Sequence, residues 1–410
     1  MKTGLTAERL SAPGVAAQAA ELKKCVQCGF CTATCPTYTL LGDERDGPRG
    51  RIQLMREMLA SDGPPPAGTV RHVDRCLSCL ACKSACPSGV DYAVLVDAAR
   101  ARIEAHRPPP VRALRALLAW TLTDRRRFGL ALKLGRLVRP LAPLVERLGL
   151  KPLAAMLDLA RGPPPRSEPV ALAPSTLRGR VILLQGCVEP VLSPQARAAA
   201  ARVLTRMGFE VLTVAGEVCC GALSEHLGRA GEAEAMARTN LAAWARVGPF
   251  DAIITTAAGC GTALKSYARL VGSSAPARDI LEFIAEAGPP PMAAPERLTI
   301  AYHSACSLRH GQGIVEAPTH LLRAAGFEVQ TPAESHLCCG SAGVYNILQP
   351  EIATRLRDRK ADRLNAVGAD VIAAGNVGCA AQLEPVVGAP IVHPVELLDW
   401  ASGGPKPSAI

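Results

Sequence analysis

Short apolar runs alternate with helical periods through the carboxy-terminal half of the chain, and the alternation occurs twice. VILLQGC predicts a strand, PQARAAAARVLTRMGF a helix and EVLTV the next strand. RAGEAEAMARTNLAAWARV then predicts a helix, and DAIITTAAGC a strand carried to Cys260. The order returns in LTIAYHSAC, THLLRAAGFEVQ, PEIATRLRDRKADRLNAVG and ADVIAAGNVGC. Apolar strands buried on both faces and separated by helices predict parallel α/β sheets. Upstream, VRALRALLAW and FGLALKLGRLVRPLAPLVERLG read as amphipathic helices between Pro-rich breaks at RPPP and RGPPPRSEP. No 18-residue uncharged apolar run occurs, so a membrane-crossing helix is not expected.

The repeat carries cysteines. Cys187, Cys219, Cys220 and Cys260 in the first unit correspond to Cys306, Cys338, Cys339 and Cys379 in the second, at a constant offset of 119. Each adjacent pair precedes a glycine, Gly221 or Gly340, which permits a tight turn. The lone cysteines are expected just past the carboxyl ends of strands, where open α/β sheets place ligands. Four thiols per unit match one tetrahedral metal site or one iron–sulfur cluster. Structural or quinone-contacting thiols and redox-active thiol chemistry are alternative readings. Zinc stays open here, and a vicinal disulfide would need specific geometry. His303, His310, His336 and His393 colour the second unit as candidate proton or quinone contacts. The first has Leu184 opposite His303, Glu217 opposite His336, and His226 between its outer cysteines.

The strongest chemical signal lies nearer the amino terminus. CVQCGFCTATCP gives Cys25, Cys28, Cys31 and Cys35-Pro36, and CLSCLACKSACP gives Cys76, Cys79, Cys82 and Cys86-Pro87. This C-x2-C-x2-C-x3-C-P run is the two-cluster ferredoxin signature, in which the fourth cysteine ligates the other cluster. One [4Fe-4S] cluster is therefore assigned to Cys25, Cys28, Cys31 and Cys86, and the other to Cys76, Cys79, Cys82 and Cys35. Structural zinc, which commonly joins two C-x2-C knuckles, explains two complete runs with proline in register less well. Between the runs, Ile52, Met55 and Leu59 share a helical face, and Arg49, Arg51 and Arg56 bring positive charge that could offset a cluster.

Composition narrows the class. The chain has 410 residues, is 49% apolar and carries sixteen cysteines, which fits a globular protein of several domains. Without an apolar secretory segment, closely spaced cysteines point to a reducing compartment and metal ligation. Aromatics at 3% give little support to nucleic-acid binding. The net charge of +10 is concentrated in 101–170, where 14 Lys/Arg meet five Asp/Glu. That basic surface suits an acidic partner or anionic lipid. No G-x-G-x-x-G, P-loop, H-E-x-x-H or flavin segment is evident, so no catalytic residue is assigned and no flavin is expected on this chain.

The expected fold is α+β and α/β: a helical two-[4Fe-4S] ferredoxin-like domain at 18–100, then a basic Pro/Arg-rich helical linker at 101–178. Cys-Cys-Gly modules follow at 179–285 and 298–402. The paired runs, GPRGRIQLMRE, HSACSLRHGQG, HLCCGSAGVYNILQP, and NVGCAAQL leading to HPVELL, together resemble the iron–sulfur subunits of bacterial glycolate oxidase (glycolate dehydrogenase) over essentially the whole chain. The resemblance implies FAD-containing partner subunits that oxidise glycolate to glyoxylate. It implies that this chain relays their electrons towards a respiratory quinone at the cytoplasmic face of the inner membrane. Related lactate and anaerobic glycerol-3-phosphate dehydrogenases share Cys-Cys-Gly domains. So does heterodisulfide reductase, whose motif usually ends in C-x-x-C; Ala257 and Asn376 occupy the corresponding positions here.

Overall fold

The computed structural model describes residues 5–11, 14–142 and 176–410, together with 147, 157 and 174. The Pro-rich break RGPPPRSEP and most of PLVERLG, where the second linker helix is expected to end, lie outside the described residues. Among the described residues the carboxy-terminal part contains two four-stranded parallel sheets. The first holds β1 (Gly179–Leu183), β2 (Phe209–Leu212), β3 (Ala252–Thr255) and β4 (Ala277–Asp279) in the order β2-β1-β3-β4. The second holds β5 (Thr299–His303), β6 (Glu328–Gln330), β7 (Val371–Ala374) and β8 (Ile391–Val392) in the order β6-β5-β7-β8. The duplication read from cysteine spacing is thus a duplication of topology.

Alternation along each central strand separates two cores. In β1, Val181 and Leu183 face one hydrophobic cluster, while Ile182 and the following Leu184 face another that contains Cys187, Cys219 and Cys220. In β5, Ile300 and Tyr302 join the first cluster, and Ala301 faces the side of Cys339 and Cys379. The first cluster therefore belongs to both modules. It is closed by helices Pro194–Arg206, Ile280–Ala287, Ala317–Ala324 and Pro394–Ala401. Fully burying each Leu, Ile or Val there stabilises by about 1.5–3 kcal/mol. Phe209 meets Phe283 edge-to-face at 5.0 Å. Across the join, the buried Asp399 accepts from Arg202 at 2.8 Å and also pairs with Arg206. Back-to-back packing leaves the cysteine-bearing strand ends of both modules open to a common space.

The strand expected to run to Cys260 ends at Thr255, and its counterpart ends at Ala374. Cys260 and Cys379 lie instead in the first turn of helices Ala258–Lys265 and Val377–Leu383. Small residues before each cysteine let the chain leave the sheet and start a helix at once.

The amino-terminal part is helical. Helix Pro48–Ala60 buries Ile52, Met55 and Leu59, the face expected from sequence, against Leu22, Val73, Tyr92, Leu95 and Val96. This part is fixed to the second module by Tyr345 Oη donating to Arg75 O at 2.9 Å and by a Ser84 Oγ–His310 Nδ1 contact of 2.6 Å. Two linker helices follow, Pro109–Leu122 and Arg125–Val138, the second capped by the Asp124 carboxylate. Phe128 and Leu132 pack inward against Val188, Val191 and Leu192. Leu130, Leu134, Leu137 and Leu141 form an exposed stripe on the opposite side. Among the described residues, no helix is long and apolar enough to cross a membrane.

Asp279 caps helix Ile280–Ala287 by accepting from Leu281 N at 2.9 Å. Burial pushes its carboxyl up to about 7, only partly opposed by that bond. An acid with a raised folded-state pKa binds more protons folded than unfolded, so its contribution to stability falls as pH rises from about 4 to 7. Asn keeps the cap without the buried charge. Asp279→Asn is therefore expected to raise the urea midpoint at pH 8 relative to wild type and to leave it nearly unchanged at pH 4.

Candidate iron–sulfur sites and a shared thiol cavity

The two cysteine runs fold alike. Left-handed backbone occurs at Gln27 and Gly29 in the first and at Ser78 and Leu80 in the second, the same positions relative to the leading cysteine. Non-glycine residues in that region cost on the order of 1–3 kcal/mol each. They persist here because the turns gather three cysteines from seven residues. Helix Pro36–Leu41 starts straight after Cys35 with proline at its first position, which carries no N–H to satisfy.

Cys25, Cys28, Cys31 and Cys86 line one small cavity, together with Cys82. Cys35, Cys76, Cys79 and Cys82 line another. The fourth cysteine of each run thus sits with the first three of the other. Burial, then the proximity of Cys25, pushes the Cys31 thiol up to about 11. Burial raises Cys79 and Cys82 well above the usual thiol value. Buried thiols crowded in this way need a cation to become thiolates together, which is the chemistry of iron ligation. Amide donors already point at sulfur: Ser78 N reaches Cys76 Sγ and Val90 N reaches Cys86 Sγ, both at 3.5 Å. These donor sets fit two [4Fe-4S] clusters.

Arg51 is 1% exposed and lines the second of these cavities. Its Nε donates to His72 O at 2.7 Å, one Nη to Thr37 Oγ1 at 3.0 Å, and the other lies 3.9 Å from Cys35 Sγ. Asp46 balances the guanidinium at 3.6 Å and also contacts His72 Nδ1 at 2.9 Å and Arg75 at 2.8 Å. Of the arginines read as nearby charge, Arg51 is held directly against the thiols. Arg49 lines the first cavity from its rim, bound to Glu44 at 2.7 Å and Gln27 O at 3.1 Å.

In the cysteine-rich modules the strand order decides the site. The winding direction changes between β1 and β3, and again between β5 and β7, which opens a crevice at their carboxyl ends. Cys187 follows β1, the Cys219-Cys220 pair follows β2, and Cys260 follows β3, so neighbouring strands deliver all four thiols. Cys187 Sγ lies 3.3 Å from Cys219 Sγ, and Cys306 Sγ lies 3.7 Å from Cys338 Sγ. Gly340, at φ +87°, lets the chain turn where a Cβ would stand 2.6 Å from Ala353 O. All eight cysteines line one cavity of ≈ 200 Å³ between the modules. Its walls are stitched across by Gly259 N donating to Asn376 Oδ1 at 3.3 Å and Thr262 Oγ1 donating to Ser307 O at 2.9 Å. Leu77 and Ser78 of the ferredoxin-like part reach the same cavity. Cys79 and Cys306 pack at the margin of a cluster containing Leu77 and Cys338.

The histidines separate by environment. His393 is structural: Nδ1 accepts from Val395 N at 3.1 Å, and Nε2 bonds Thr256 O at 2.8 Å. His310 joins Ser84 to His336 O. His226 lines the shared cavity with Nδ1 unpartnered among the described residues. His303 is held down to about 3 by burial, then by Lys360, and is therefore a neutral imidazole. Glu189, not singled out in the sequence, also lines the cavity. It accepts from Thr256 Oγ1, and burial pushes its carboxyl up to about 7.

Comparison with known proteins agrees with both halves. A family model described as "4Fe-4S dicluster domain" matches residues 21–90, and one described as "Cysteine-rich domain" matches 181–265 and 300–384. The "Glycolate oxidase iron-sulfur subunit" of Escherichia coli (strain K12) is 36% identical over 98% of this chain and 99% of its own length. The "Probable glycolate oxidase iron-sulfur subunit" of Bacillus subtilis (strain 168) is 30% identical over 89% of this chain and 88% of its own. A dicluster domain joined to two cysteine-rich repeats, matched end to end, places this chain in the family of glycolate oxidase iron–sulfur subunits, as an electron-transfer subunit of an oxidoreductase complex carrying two [4Fe-4S] clusters in its amino-terminal domain.

Proposed function

We propose that this chain takes electrons from FAD-containing subunits that oxidise glycolate to glyoxylate and relays them towards a membrane quinone. In this reading Cys25, Cys28, Cys31 and Cys86 hold one [4Fe-4S] cluster, and Cys76, Cys79, Cys82 and Cys35 hold the other. The four-part division at 18–100, 101–178, 179–285 and 298–402 belongs to the same proposal. Iron–sulfur clusters accept one electron at a time and so couple a two-electron flavin to the next carrier.

The observation that carries the reading is a gradient of burial. Cys28 is exposed, flanked by Val26 and Phe30 at 67% exposure each, whereas Cys79 faces the interior beside Cys306 and Leu77. Exposed apolar side chains around a solvent-facing cysteine suit a protein-docking edge. Electrons entering there would pass inward to the second quartet and then to the edge of the shared cavity. Arg51, beside Cys35, supplies positive charge where an added electron is held.

The linker helices support peripheral attachment to an anionic bilayer. The stripe Leu130, Leu134, Leu137 and Leu141 faces outward, with Arg126, Lys133 and Arg139 exposed beside it. Arg127 stacks over Trp120 at 4.4 Å. Between 109 and 141, Asp124 is the sole acidic residue. Leucines entering the headgroup boundary with flanking cations on phosphates describe an interfacial helix, each cation contributing about 1 kcal/mol.

The complex should contain about eight irons in its ferredoxin-like domain, and glycolate should bleach them anaerobically. Phe30→Asp is expected to slow that bleaching at least about tenfold with iron content unchanged, as removal of an interface anchor does. Zinc at these cysteines, or reduction by lactate or glycerol 3-phosphate but not glycolate, would overturn the assignment. In co-sedimentation, the complex should bind phosphatidylglycerol vesicles at low salt and lose that binding in Leu130→Asp/Leu134→Asp/Leu137→Asp. Equal retention by the variant, or by neutral vesicles, would reject lipid docking.

A further inference from the structure

The two cysteine-rich modules share topology and thiols but differ at one position that faces them. His303 ends β5 and is 2% exposed. Strand alternation turns it to the side of Ala301, away from the core filled by Ile300 and Tyr302. There its ring lies with Cys339 and Cys379, with one donor atom from each of the three within 4.8 Å of the others. Its Nε2 has no hydrogen-bond partner among the described residues. An unpartnered buried imidazole nitrogen is costly unless something binds it. Cys306 and Cys338 complete the surroundings at 3.7 Å from each other, and Asn376 Nδ2 steadies Cys379 Sγ at 3.4 Å.

The first module has no histidine at this position. Its equivalent residue is Leu184, 4% exposed and packed with Cys187, Cys219 and Cys220. Glu217, opposite His336, is engaged by Trp244 Nε1 at 2.6 Å and Gln185 N at 3.1 Å. Ala257 stands where Asn376 approaches the second set. His226 also lines the shared cavity, but among the described residues no histidine is grouped with the first module's cysteines as His303 is with Cys339 and Cys379.

We propose that the second module is an iron–sulfur site ligated by His303 together with its cysteines, and that it is therefore more oxidising than any site in the first module. A neutral imidazole in place of a thiolate leaves a cluster less negative and raises its reduction potential, as in centres where histidines replace cysteines. Iron rather than zinc follows from the site's position beside the second ferredoxin quartet, and in that respect the inference rests on the electron-relay reading. Such a site would draw electrons from Cys79's neighbourhood into the shared cavity.

The test is pulsed EPR on the anaerobically isolated complex, reduced stepwise by dithionite and labelled with 15N at histidine alone. The expected spectrum has a strong 15N coupling on a signal distinct from the two ferredoxin clusters. That coupling should vanish in His303→Leu. His303→Cys should keep the iron and shift the same signal to a lower potential. Zinc in the module, no iron beyond the ferredoxin clusters, or a coupling that survives His303→Leu would each overturn the proposal. Ferredoxin signals are counted in the same samples. Their loss would reject the relay reading, whereas normal ferredoxin signals without histidine coupling would reject this inference alone.

Discussion

Four thiolates cannot be gathered in a protein interior without a cation to hold them, and this constraint organises the molecule. Burial and mutual repulsion drive the Cys31, Cys79 and Cys82 thiols upward. The chain nevertheless accepts backbone strain at Gln27, Ser78 and Leu80 to bring such groups together. That strain is explained by iron, which turns a repulsive cluster of acids into a set of bonds. Arg51, buried and braced by Asp46, holds positive charge beside Cys35.

The carboxy-terminal modules meet the constraint by topology instead of local turns. A winding reversal at the central strands delivers cysteines from the ends of three neighbouring strands to one crevice. Packing the modules back to back through helices Pro194–Arg206 and Pro394–Ala401 then makes the two crevices continuous. The ferredoxin-like part closes against this arrangement at Leu77 and Tyr345. The amino-terminal cysteines thus line two small cavities and the carboxy-terminal eight line the shared one.

Much of this was legible because the signals are local or periodic. The C-x2-C-x2-C-x3-C-P runs confine three donors to seven residues, and the offset of 119 exposed the duplication and its parallel sheets. The strands before Cys260 and Cys379 read too long, since Ala- and Gly-rich segments such as AAGC carry no period that separates strand from helix. Depth was harder to read. Sequence shows Arg51 only as one of three nearby charges, and its burial depends on Asp46, Thr37 and His72, contacts that exist only once distant turns have packed. The histidines of the second module could not be ranked from sequence. Only the alternation in β5 sends His303 to the thiols, and only a capping bond makes His393 structural.

In the proposed assignment the two ferredoxin sites exchange their fourth ligands. EPR spectra of the reduced complex bearing Cys35→Ser, compared with Cys79→Ser and Cys28→Ser, test it most directly. Cys35→Ser is expected to perturb the same cluster signal as Cys79→Ser and to spare the one altered by Cys28→Ser. A Cys35→Ser spectrum matching Cys28→Ser would contradict it.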